Sequence, residues 1–459
     1  MNNPENLEND LDNLRIEMRN ITGEIIKLIN KRMLTSKKIG EIKNVLQIEV
    51  EDEKVENEIK DYVTTLTNDI NMDTEIAGKI LNVLLIESVK LQINKTKPKQ
   101  THMGVFLKAK DLESQGKKII HLEVGEPDFE APIQVQSELS SIYNRKKYHY
   151  TQIVGIPELR DLISKKINRN DLTKENVLIT PGGRFGIFSA ITSLLSQGDE
   201  LINIEPSWPA YRDCGNFIGV KTRTLKTTIE ENWNPDLVKL EQLINQNTKM
   251  IVLNYPNNPT GKILDYDTLN NIVLLARKHN LFILSDEVYS AFSFKKFTSI
   301  LNFNYKKSIM VSSFSKTYGM TGFRVGYVVA SKDIIKKVKK VQTTAITSVA
   351  EPMQYCALSA LDADPIKNVN LIKSRLDVVC ERLKKLNLSF FVPDGAMYVY
   401  PKINSDISDL DLVDRLLEQG VAISPGSGFG SSYSQFIRIS VCRPISEIQK
   451  GLDVLEKNI

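Results

Sequence analysis

The stretch SSFSKTYGMTGFRVGY, residues 312–327, places Lys316 among hydroxyls, aromatic rings and glycines, with no acidic residue beside it. The next cation, Arg324, follows eight residues later. The stretch overlaps the apolar run SIMVSS and leads into RVGYVVA, and both runs are typical of short buried strands. A lysine in this setting is either an ordinary surface cation or a group whose partner is not an acid. The surrounding sequence has to decide.

From about residue 104 onward, short apolar runs alternate with helical stretches such as DTLNNIVLLARKHN. The other apolar runs are KIIHLEV, NVLIT, ELINIE, KMIVLNY and LFILSD. Because glycine and proline gather where these runs end, the pattern predicts a mostly parallel α/β sheet. Ligands of such sheets bind beyond the carboxyl ends of the strands. The last hundred residues, with more helix than strand, predict a smaller appended domain.

The composition narrows the class of protein. A chain of 459 residues predicts two to four domains, and a net charge of +4 with interspersed charges does not favour nucleic acid or an anionic membrane as a partner. Four cysteines without CxxC spacing and four histidines do not favour a metal site and are typical of reduced thiols. The polar, acidic N-terminus is no signal peptide, and no apolar run approaches the roughly 20 residues that span a bilayer. We therefore expect a cytoplasmic protein.

Four further motifs place polar groups directly after predicted strands. TPGGR (180–184) opens a helix, whose first backbone N–H groups can bind an anion. The others are EPSWPAY with Trp208, NYPNNPTG with Asn258, and SDEVY with Asp286 and Tyr289. Each motif alone has an ordinary structural explanation, as a turn, a core aromatic residue or a helix cap. Together they describe a phosphate site, a stacking ring, an acid and a hydrogen-bonding pair around an isolated lysine.

In their order along the chain, NPTG, DEVY and SFSK-(x)7-R resemble the class I and II aminotransferases, which are pyridoxal phosphate (PLP) enzymes of fold type I. The resemblance covers residues 104–459. It implies that Lys316 is the Schiff-base lysine and the general base that moves a proton between Cα and C4′. It also implies that Asp286 faces the pyridine nitrogen and keeps it protonated. The lysine then has no acidic sequence neighbour because its partner is an aldehyde.

The same resemblance assigns the remaining contacts of the cofactor and the substrate. Arg438, in FIRIS, would bind the substrate α-carboxylate through two hydrogen bonds, and Gly125, in GEPDF, would lie near it. The cofactor contacts are Asn258 and Tyr289 to the phenolate oxygen, Trp208 to the ring face, Gly183, Arg184, Ser313, Ser315 and Arg324 to the phosphate, and Tyr150, in YTQIVG, to the phosphate of the neighbouring subunit.

The first hundred residues have a different periodicity. Apolar residues recur at the three-and-four spacing of a helix face, in a pattern that runs to about residue 46: Leu7, Leu11, Leu14, Met18, Ile21, Ile25, Leu28 and Ile29. Two shorter helices are predicted at about 52–70 and 74–93, the second with Asp73 or Thr74 as its N-cap. A first helix this long exposes its apolar face unless a partner covers it, so we expect dimerisation.

Polar residues on these helices exceed what a dimerisation coil needs. Arg32 and Lys43 are eleven residues apart, which places them about 20° apart on one helix face. Arg15 precedes Arg32 by 17 residues, roughly 25 Å along a straight helix, and lies on another face. A pocket that uses both arginines therefore needs a second chain. Further i,i+4 pairs are Asp52 with Glu56 and Ser88 with Gln92.

The stretches LRIEM, NKRMLTSKKIGEIK, EDEKVENEI and IESVKLQ resemble the all-helical chorismate mutases over about residues 7–93. The family's active-site positions fall on Arg15 (from the partner subunit), Arg32, Lys43, Asp52, Glu56, Ser88 and Gln92. Val55 departs from relatives that carry a further arginine there. The resemblance implies that the two arginines bind the substrate carboxylates with help from Ser88. It also implies that Lys43 and Gln92 donate to the ether oxygen, and that Asp52 and Glu56 bind the ring hydroxyl.

We therefore expect an all-α three-helix chorismate mutase domain at residues 1–93, a linker at 94–103 (NKTKPKQTHM) and a PLP-dependent aminotransferase of fold type I at 104–459. Its large domain is expected at about 146–345, and its small domain at 104–145 and 346–459. The expected substrates are chorismate, prephenate or another 2-oxo acid, and an amino-acid donor, with a homodimer formed through both domains. Three alternatives stay open. The helices are a non-catalytic dimerisation or prephenate-sensing module, the PLP half is a lyase or decarboxylase, or its acceptor is phenylpyruvate or 4-hydroxyphenylpyruvate.

Overall fold

A computed structural model describes residues 4–45, 53–93, 102–167, 169–404 and 407–459. The chain divides into two structural units, Met1–Lys99 and Gln100–Ile459. Residues 94–101 of the predicted linker lie outside the described residues. Among the described residues, no helix is both long and apolar enough to cross a membrane.

The first unit consists of helices α1 (Pro4–Val45), α2 (Glu53–Asp69) and α3 (Thr74–Ile93), as the periodicity predicts. The side chain of Asp73 accepts a hydrogen bond from the backbone N–H of Glu75 at 2.8 Å, so Asp73 is the N-cap of α3. Helices α1 and α3 approach closely at Gly40, where a Cβ atom would lie 2.7 Å from the Cα of Gln92. Only glycine permits this approach.

The apolar stripe of α1 is exposed within a single chain. Leu14 is 60% exposed, Met18 70% and Leu28 66%, and Leu7, Leu11, Ile21 and Ile25 are each about half exposed. A run of exposed apolar side chains this long exceeds what the surface of a monomeric protein usually presents to water, so the stripe is a candidate interaction surface.

The second unit alternates strands and helices. Its strands are β1 (Ile120–His121), β2 (Val177–Thr180), β3 (Glu200–Glu205), β4 (Lys221–Lys226), β5 (Thr248–Asn254), β6 (Phe282–Asp286), β7 (Ser308–Ser313), β8 (Gly326–Ala330), β9 (Tyr398–Val399), β10 (Val421–Ala422), β11 (Ser424–Pro425) and β12 (Ile437–Ser440). Its helices are α4 (His102–Ser114), α5 (Ile133–Ile142), α6 (Pro157–Ile167), α7 (Gly182–Leu194), α8 (Ala210–Phe217), α9 (Leu237–Gln242), α10 (Tyr266–Lys278), α11 (Phe314–Thr317), α12 (Lys332–Ala345), α13 (Glu351–Ala360), α14 (Ile366–Lys385), α15 (Asp409–Glu418) and α16 (Ile445–Glu456).

Seven of the described strands form one large sheet, in the order β2-β8-β7-β6-β5-β3-β4. Strand β8 runs antiparallel to both of its neighbours, and the other pairings are parallel. Residues that alternate along a strand enter separate cores: Ile251 and Ile283 pack on one side of the sheet, and Val252 and Leu284 on the other. A sheet covered on both faces explains why its central strands are continuous apolar runs.

Two small sheets accompany a third core. Strands β11, β12 and β9 form an antiparallel sheet, and β1 pairs with β10 in parallel. Helices α14, α15 and α16 contribute apolar residues to this core, for example Leu376, Leu416 and Leu452. This part of the fold positions Arg438, which lies on β12.

Strands β1 and β4 differ from the sequence prediction. The apolar run KIIHLEV forms only the two-residue strand β1. After Leu122, whose backbone N–H still donates to the carbonyl of Ala422, the chain leaves the β10 edge and continues as the wall of a cavity. Strand β4, KTRTLK, was not predicted, because it is an edge strand whose side chains are mostly exposed or half-buried, and it therefore lacks an apolar run.

Candidate active sites

A cavity of about 340 Å³ lies in the second unit, beyond the carboxyl ends of β5 and β6. The sequence motifs converge on it: its wall includes Gly125, Gly183, Arg184, Trp208, Asn258, Asp286, Tyr289, Ser313, Ser315, Lys316, Arg324 and Arg438. These residues are up to 313 positions apart in sequence. The parallel strands of the large sheet end at the cavity, and Gly125 and Arg438 reach it from the segment after β1 and from β12.

The N-terminus of α7 forms one end of the cavity. Gly182, at φ +78°, begins the helix, and a Cβ atom there would lie 2.6 Å from the guanidinium of Arg324. Gly326 lets β8 approach the same turn, because a Cβ atom at that position would lie 2.6 Å from the backbone nitrogen of Gly183. A helix N-terminus with an arginine beside it is suited to a phosphate group.

Lys316 extends from α11 into the cavity, and its Nζ donates a hydrogen bond to the carbonyl of Gly125 at 2.6 Å. Burial lowers the pKa of Lys316, and the positive charges of Arg438 and Arg324 lower it further. Burial and cationic neighbours therefore favour the neutral amine, which is the form that acts as nucleophile and base.

Asp286 ends strand β6 and is 3% exposed. Burial raises its pKa to about 6, although hydrogen bonds to its carboxylate oppose that shift. The hydroxyl of Tyr211 donates to Oδ2 at 2.7 Å, and the backbone N–H of Val288 donates to Oδ1 at 3.3 Å. Burial penalises the charged form of this acid, and a cation beside it would favour that form, which makes Asp286 a candidate partner for a protonated ring nitrogen.

Arg438 is 2% exposed and forms the opposite wall of the cavity. Its Nη1 donates to Oδ1 of Asn258 at 2.9 Å, and its Nη2 donates to the carbonyl of Glu123 and to Oγ of Ser424. The ring of Tyr398 lies beneath the guanidinium at 4.4 Å. Nε of Arg438 has no hydrogen-bond partner among the described residues, so a carboxylate ligand can still use it.

Two tyrosines that the motifs did not identify complete the cavity. Tyr211, on α8, holds Asp286, and the hydroxyl of Tyr398 lies 2.7 Å from that of Tyr289. Tyr211 follows Trp208 by three residues, which was a signal in the sequence, whereas Tyr398 stands in a segment without a motif. The Trp208 ring is itself in contact with the guanidinium of Arg184, at 4.6 Å.

All the predicted cofactor contacts lie on described residues. Of these, only Tyr150 does not line the cavity. Its side chain is 92% exposed, and Tyr143 is also exposed, at 78%. The structure therefore places Tyr150 on the surface of its own chain.

In the helical unit, Arg32 and Ser88 come together across α1 and α3. Nη1 of Arg32 donates to the carbonyl of Leu84 at 2.9 Å and also to Oγ of Ser88. Ser88 is 5% exposed, and burial lowers the pKa of Arg32. A half-buried arginine next to a buried hydroxyl is a suitable carboxylate site.

Lys43, Glu56 and Gln92 are further predicted mutase residues on the described helices. The side-chain oxygen of Gln92 is buried without a hydrogen-bond partner among the described residues, and Lys43 is half-buried. Glu56 lies 3.9 Å from Lys60 on the same helix. Asp52 lies outside the described residues.

Arg15 makes a local ion pair on the surface of the first unit. Its guanidinium pairs with Asp12 at 3.1 Å, and its side chain is 68% exposed. This position agrees with the argument that one chain cannot supply both Arg15 and Arg32 to a single site.

Comparisons with known proteins identify both units. The family "Aminotransferase class I and II" matches residues 117–455. The chain belongs to this family. Residues 14–93 match "Chorismate mutase type II", so a chorismate mutase domain precedes the aminotransferase. Both resemblances and the predicted fold class are confirmed, and with them isomerase and transferase as the activities of the two domains. Class I and II aminotransferases depend on PLP.

The relatives match the second unit along almost their whole length. The aspartate aminotransferase of Thermotoga maritima is 36% identical and covers 77% of this chain and 95% of its own length. The aspartate/prephenate aminotransferase of Thermus thermophilus is 30% identical, with 79% and 96% covered. A solved structure of the Thermus thermophilus aspartate aminotransferase with maleate superimposes with a TM-score of 0.75 at 29% identity, covering 78% of this chain and 96% of that one.

Proposed function

We propose that this chain is a bifunctional enzyme of aromatic amino-acid synthesis, which rearranges chorismate to prephenate and transaminates prephenate with glutamate or aspartate as the amino donor. The observation that carries the proposal is the presence of both family domains in one polypeptide. Prephenate is the product of the first reaction, and a Thermus thermophilus relative is named an aspartate/prephenate aminotransferase. The two reactions would therefore be consecutive.

The residues around the cavity fit PLP. The N-terminus of α7 and Arg324 suit the phosphate, Asp286 suits a protonated ring nitrogen, and Lys316 suits the aldehyde. When bound, PLP supplies an aldehyde that condenses with amines and a ring that accepts electrons from Cα. Tyr289 and Asn258 would bind the phenolate oxygen, and Trp208 would cover the ring face. Those contacts leave Lys316 and Arg438 for the substrate.

In transamination, Arg438 would bind the substrate α-carboxylate and orient Cα toward Lys316. As a neutral amine, Lys316 would accept the proton from Cα and return it to the carbon on the cofactor side. Its depressed pKa suits this role, because a lysine that is charged at neutral pH cannot accept a proton.

The acceptor is a dicarboxylate in this proposal. Prephenate, oxaloacetate and glutamate each carry a second carboxylate, and burying it without a partner would cost several kcal/mol. The related Thermus structure, which was solved with the dicarboxylate maleate, supports this substrate class.

In the mutase domain, catalysis needs no proton transfer and no covalent step. The protein has to hold chorismate in the reactive chair and stabilise charge that develops on the ether oxygen. Arg32 and Ser88 would bind one carboxylate, Arg15 of the partner subunit the other, and Lys43 with Gln92 would donate to the ether oxygen.

We further propose that the protein is a homodimer, formed through both domains. The exposed stripe of α1 would be covered by its counterpart, and the exposed Tyr150 would reach the phosphate site of the neighbouring subunit. In this arrangement both kinds of active site contain residues from two chains.

Mutase and transaminase assays on the purified full-length chain test the proposal. Chorismate should be consumed without any cofactor, and prephenate should be transaminated only when PLP is present. Transamination without mutase turnover would instead favour a non-catalytic dimerisation or sensing module. Release of ammonia or CO2 in place of amino transfer would favour a lyase or decarboxylase.

A further inference from the structure

A buried histidine joins two acids beside the aminotransferase cavity, and none of the three was identified from the sequence motifs. His121, at the end of β1, is 6% exposed. Its Nδ1 lies 2.8 Å from Oε1 of Glu123, and its Nε2 lies 3.0 Å from Oε1 of Glu113 on α4. The side chain of Glu123 is fully buried, whereas that of Glu113 is 32% exposed.

The geometry favours a charged imidazole. A neutral ring has one N–H group, so one of its nitrogens would direct a lone pair at a carboxylate. With both nitrogens at hydrogen-bond distance from carboxylates, His121 can donate to both acids only as the imidazolium. Its pKa is raised accordingly, first by the hydrogen bond to Glu123 and in addition by Glu113, against the opposing effect of burial.

The segment that this histidine holds carries two carbonyls of the active site. The carbonyl of Glu123 accepts hydrogen bonds from Nη2 of Arg438 and from Oγ of Ser424. Two residues later, the carbonyl of Gly125 accepts one from Nζ of Lys316. The side chain of Glu123 therefore anchors a stretch of backbone that orients both candidate substrate-handling cations.

We propose that His121 is a positioning residue for substrate binding, which acts through Glu123 on the backbone that orients Arg438. The proposal rests on the role of Arg438 in the proposed function and adds a residue that touches neither substrate nor cofactor. As the imidazolium it holds the carboxylate of Glu123 in place. As the neutral imidazole it can donate to only one of its two acids, and the segment loses an anchor.

The charged groups that face His121 come from two directions. Helix α4 contributes Glu113, whose other oxygen accepts a hydrogen bond from Lys110 at 2.8 Å, and the histidine's own segment contributes Glu123. The neighbouring elements face this segment with uncharged residues: β10 pairs with β1 through Val421 and Ala422, and α16 places Gly451 against Leu122. Because the pKa of His121 is raised, its charge is complete below its ordinary value and is lost as the pH rises through the raised value.

The test is the pH dependence of maleate binding to the PLP-loaded full-length chain, with the unfolding temperature measured for each variant. In the wild type, affinity should fall on the alkaline side as His121 loses its proton. The substitution Glu113→Gln removes one stabilising acid, so the fall should move to lower pH by about one unit. The substitution His121→Gln should weaken binding by about tenfold at neutral pH and remove this component of the profile.

Glu241→Gln is the matched control, because Glu241 also pairs with a histidine and a lysine, His279 and Lys278, and it does not line the cavity. Its profile should equal that of the wild type. If Glu113→Gln and His121→Gln lower the unfolding temperature but keep the wild-type profile, the histidine is merely structural and the inference is wrong. A wild-type chain that neither binds maleate nor transaminates any 2-oxo acid would instead contradict the proposed function, and the inference with it.

Discussion

The buried carboxylate of Asp286 carries a free-energy penalty for ionisation in the cofactor-free protein. Its pKa of about 6 exceeds the ordinary 3.8 by about two pH units, and each unit corresponds to about 1.4 kcal/mol. Because the pKa is raised in the folded state, ionisation of Asp286 destabilises the cofactor-free protein increasingly as the pH rises from about 4 to above 6. A cation bound opposite the carboxylate would remove that penalty.

We therefore predict that Asp286→Asn stabilises the cofactor-free second unit at pH 8 while abolishing transamination. The gain in free energy of unfolding should reach up to about 3 kcal/mol at pH 8 and disappear near pH 4. Urea unfolding of both proteins at several pH values measures it. If the difference in free energy of unfolding between the two proteins does not vary with pH, ionisation of the buried carboxylate does not destabilise the fold.

Arg32 and Lys43 are the residues on which the mutase assignment depends. Each substitution to alanine should lower kcat/KM for chorismate on the order of 100-fold or more, because it removes a charged donor to the transition state. Arg19→Ala and Lys38→Ala, on the same helix, are the matched controls and should retain activity. Near-normal turnover in either site variant would refute the assignment.

At the level of single residues, the sequence predicted the groups whose chemistry is distinctive. An NPTG motif, a strand-end aspartate and a lysine without an acidic neighbour, in that order along the chain, have few alternative explanations. Tyr398, Glu123 and His121 could not be predicted, because a tyrosine, a glutamate and a histidine in an ordinary segment gain their roles only from tertiary contacts.

At the level of elements, the helices of the first unit followed from the three-and-four spacing of their apolar residues. The central strands of the sheet followed from continuous apolar runs, because the sheet is covered on both faces. Strand β4 was not predicted, because an edge strand lacks an apolar run. The shortness of β1 was not predicted either, because the apolar run continues where the chain becomes a cavity wall.

The contact of α1 with α3 gives a prediction at this scale. Gly40→Ala should destabilise the helical unit and lower mutase activity, because the new methyl group would lie 2.7 Å from the Cα of Gln92 and force the helices apart. Gly78→Ala, at a helical glycine with no atom within 4 Å, should instead be neutral or stabilising by up to about 1 kcal/mol. Mutase assays and thermal unfolding distinguish the pair. Equal behaviour of the two variants would contradict the close packing.

At the level of the whole molecule, the proposed dimer predicts complementation between defective chains. Arg15→Ala and Arg32→Ala chains should each be inactive as mutases, whereas an equal mixture after exchange of subunits should recover about a quarter of wild-type activity. Half of the dimers would then be heterodimers, each with one undamaged pocket. The mixture should be assayed beside the separate chains. Absence of recovery would contradict a pocket shared between subunits.

The order of preference among acceptors tests the dicarboxylate proposal. With one common amino donor, kcat/KM for prephenate and oxaloacetate should exceed that for phenylpyruvate, which lacks a second carboxylate. If phenylpyruvate leads by about a hundredfold, the pocket beyond the α-carboxylate site is apolar and the proposed substrate class is wrong.

The most direct test of two consecutive reactions on one polypeptide is to follow chorismate in the presence of PLP and glutamate or aspartate, with the wild type and two variants. The wild type should convert chorismate into the amino acid arogenate. Lys316→Ala should accumulate prephenate, and Arg32→Ala should be inactive on chorismate yet should transaminate added prephenate. A wild-type chain that leaves chorismate unchanged, or that accumulates prephenate without forming arogenate, would contradict the account.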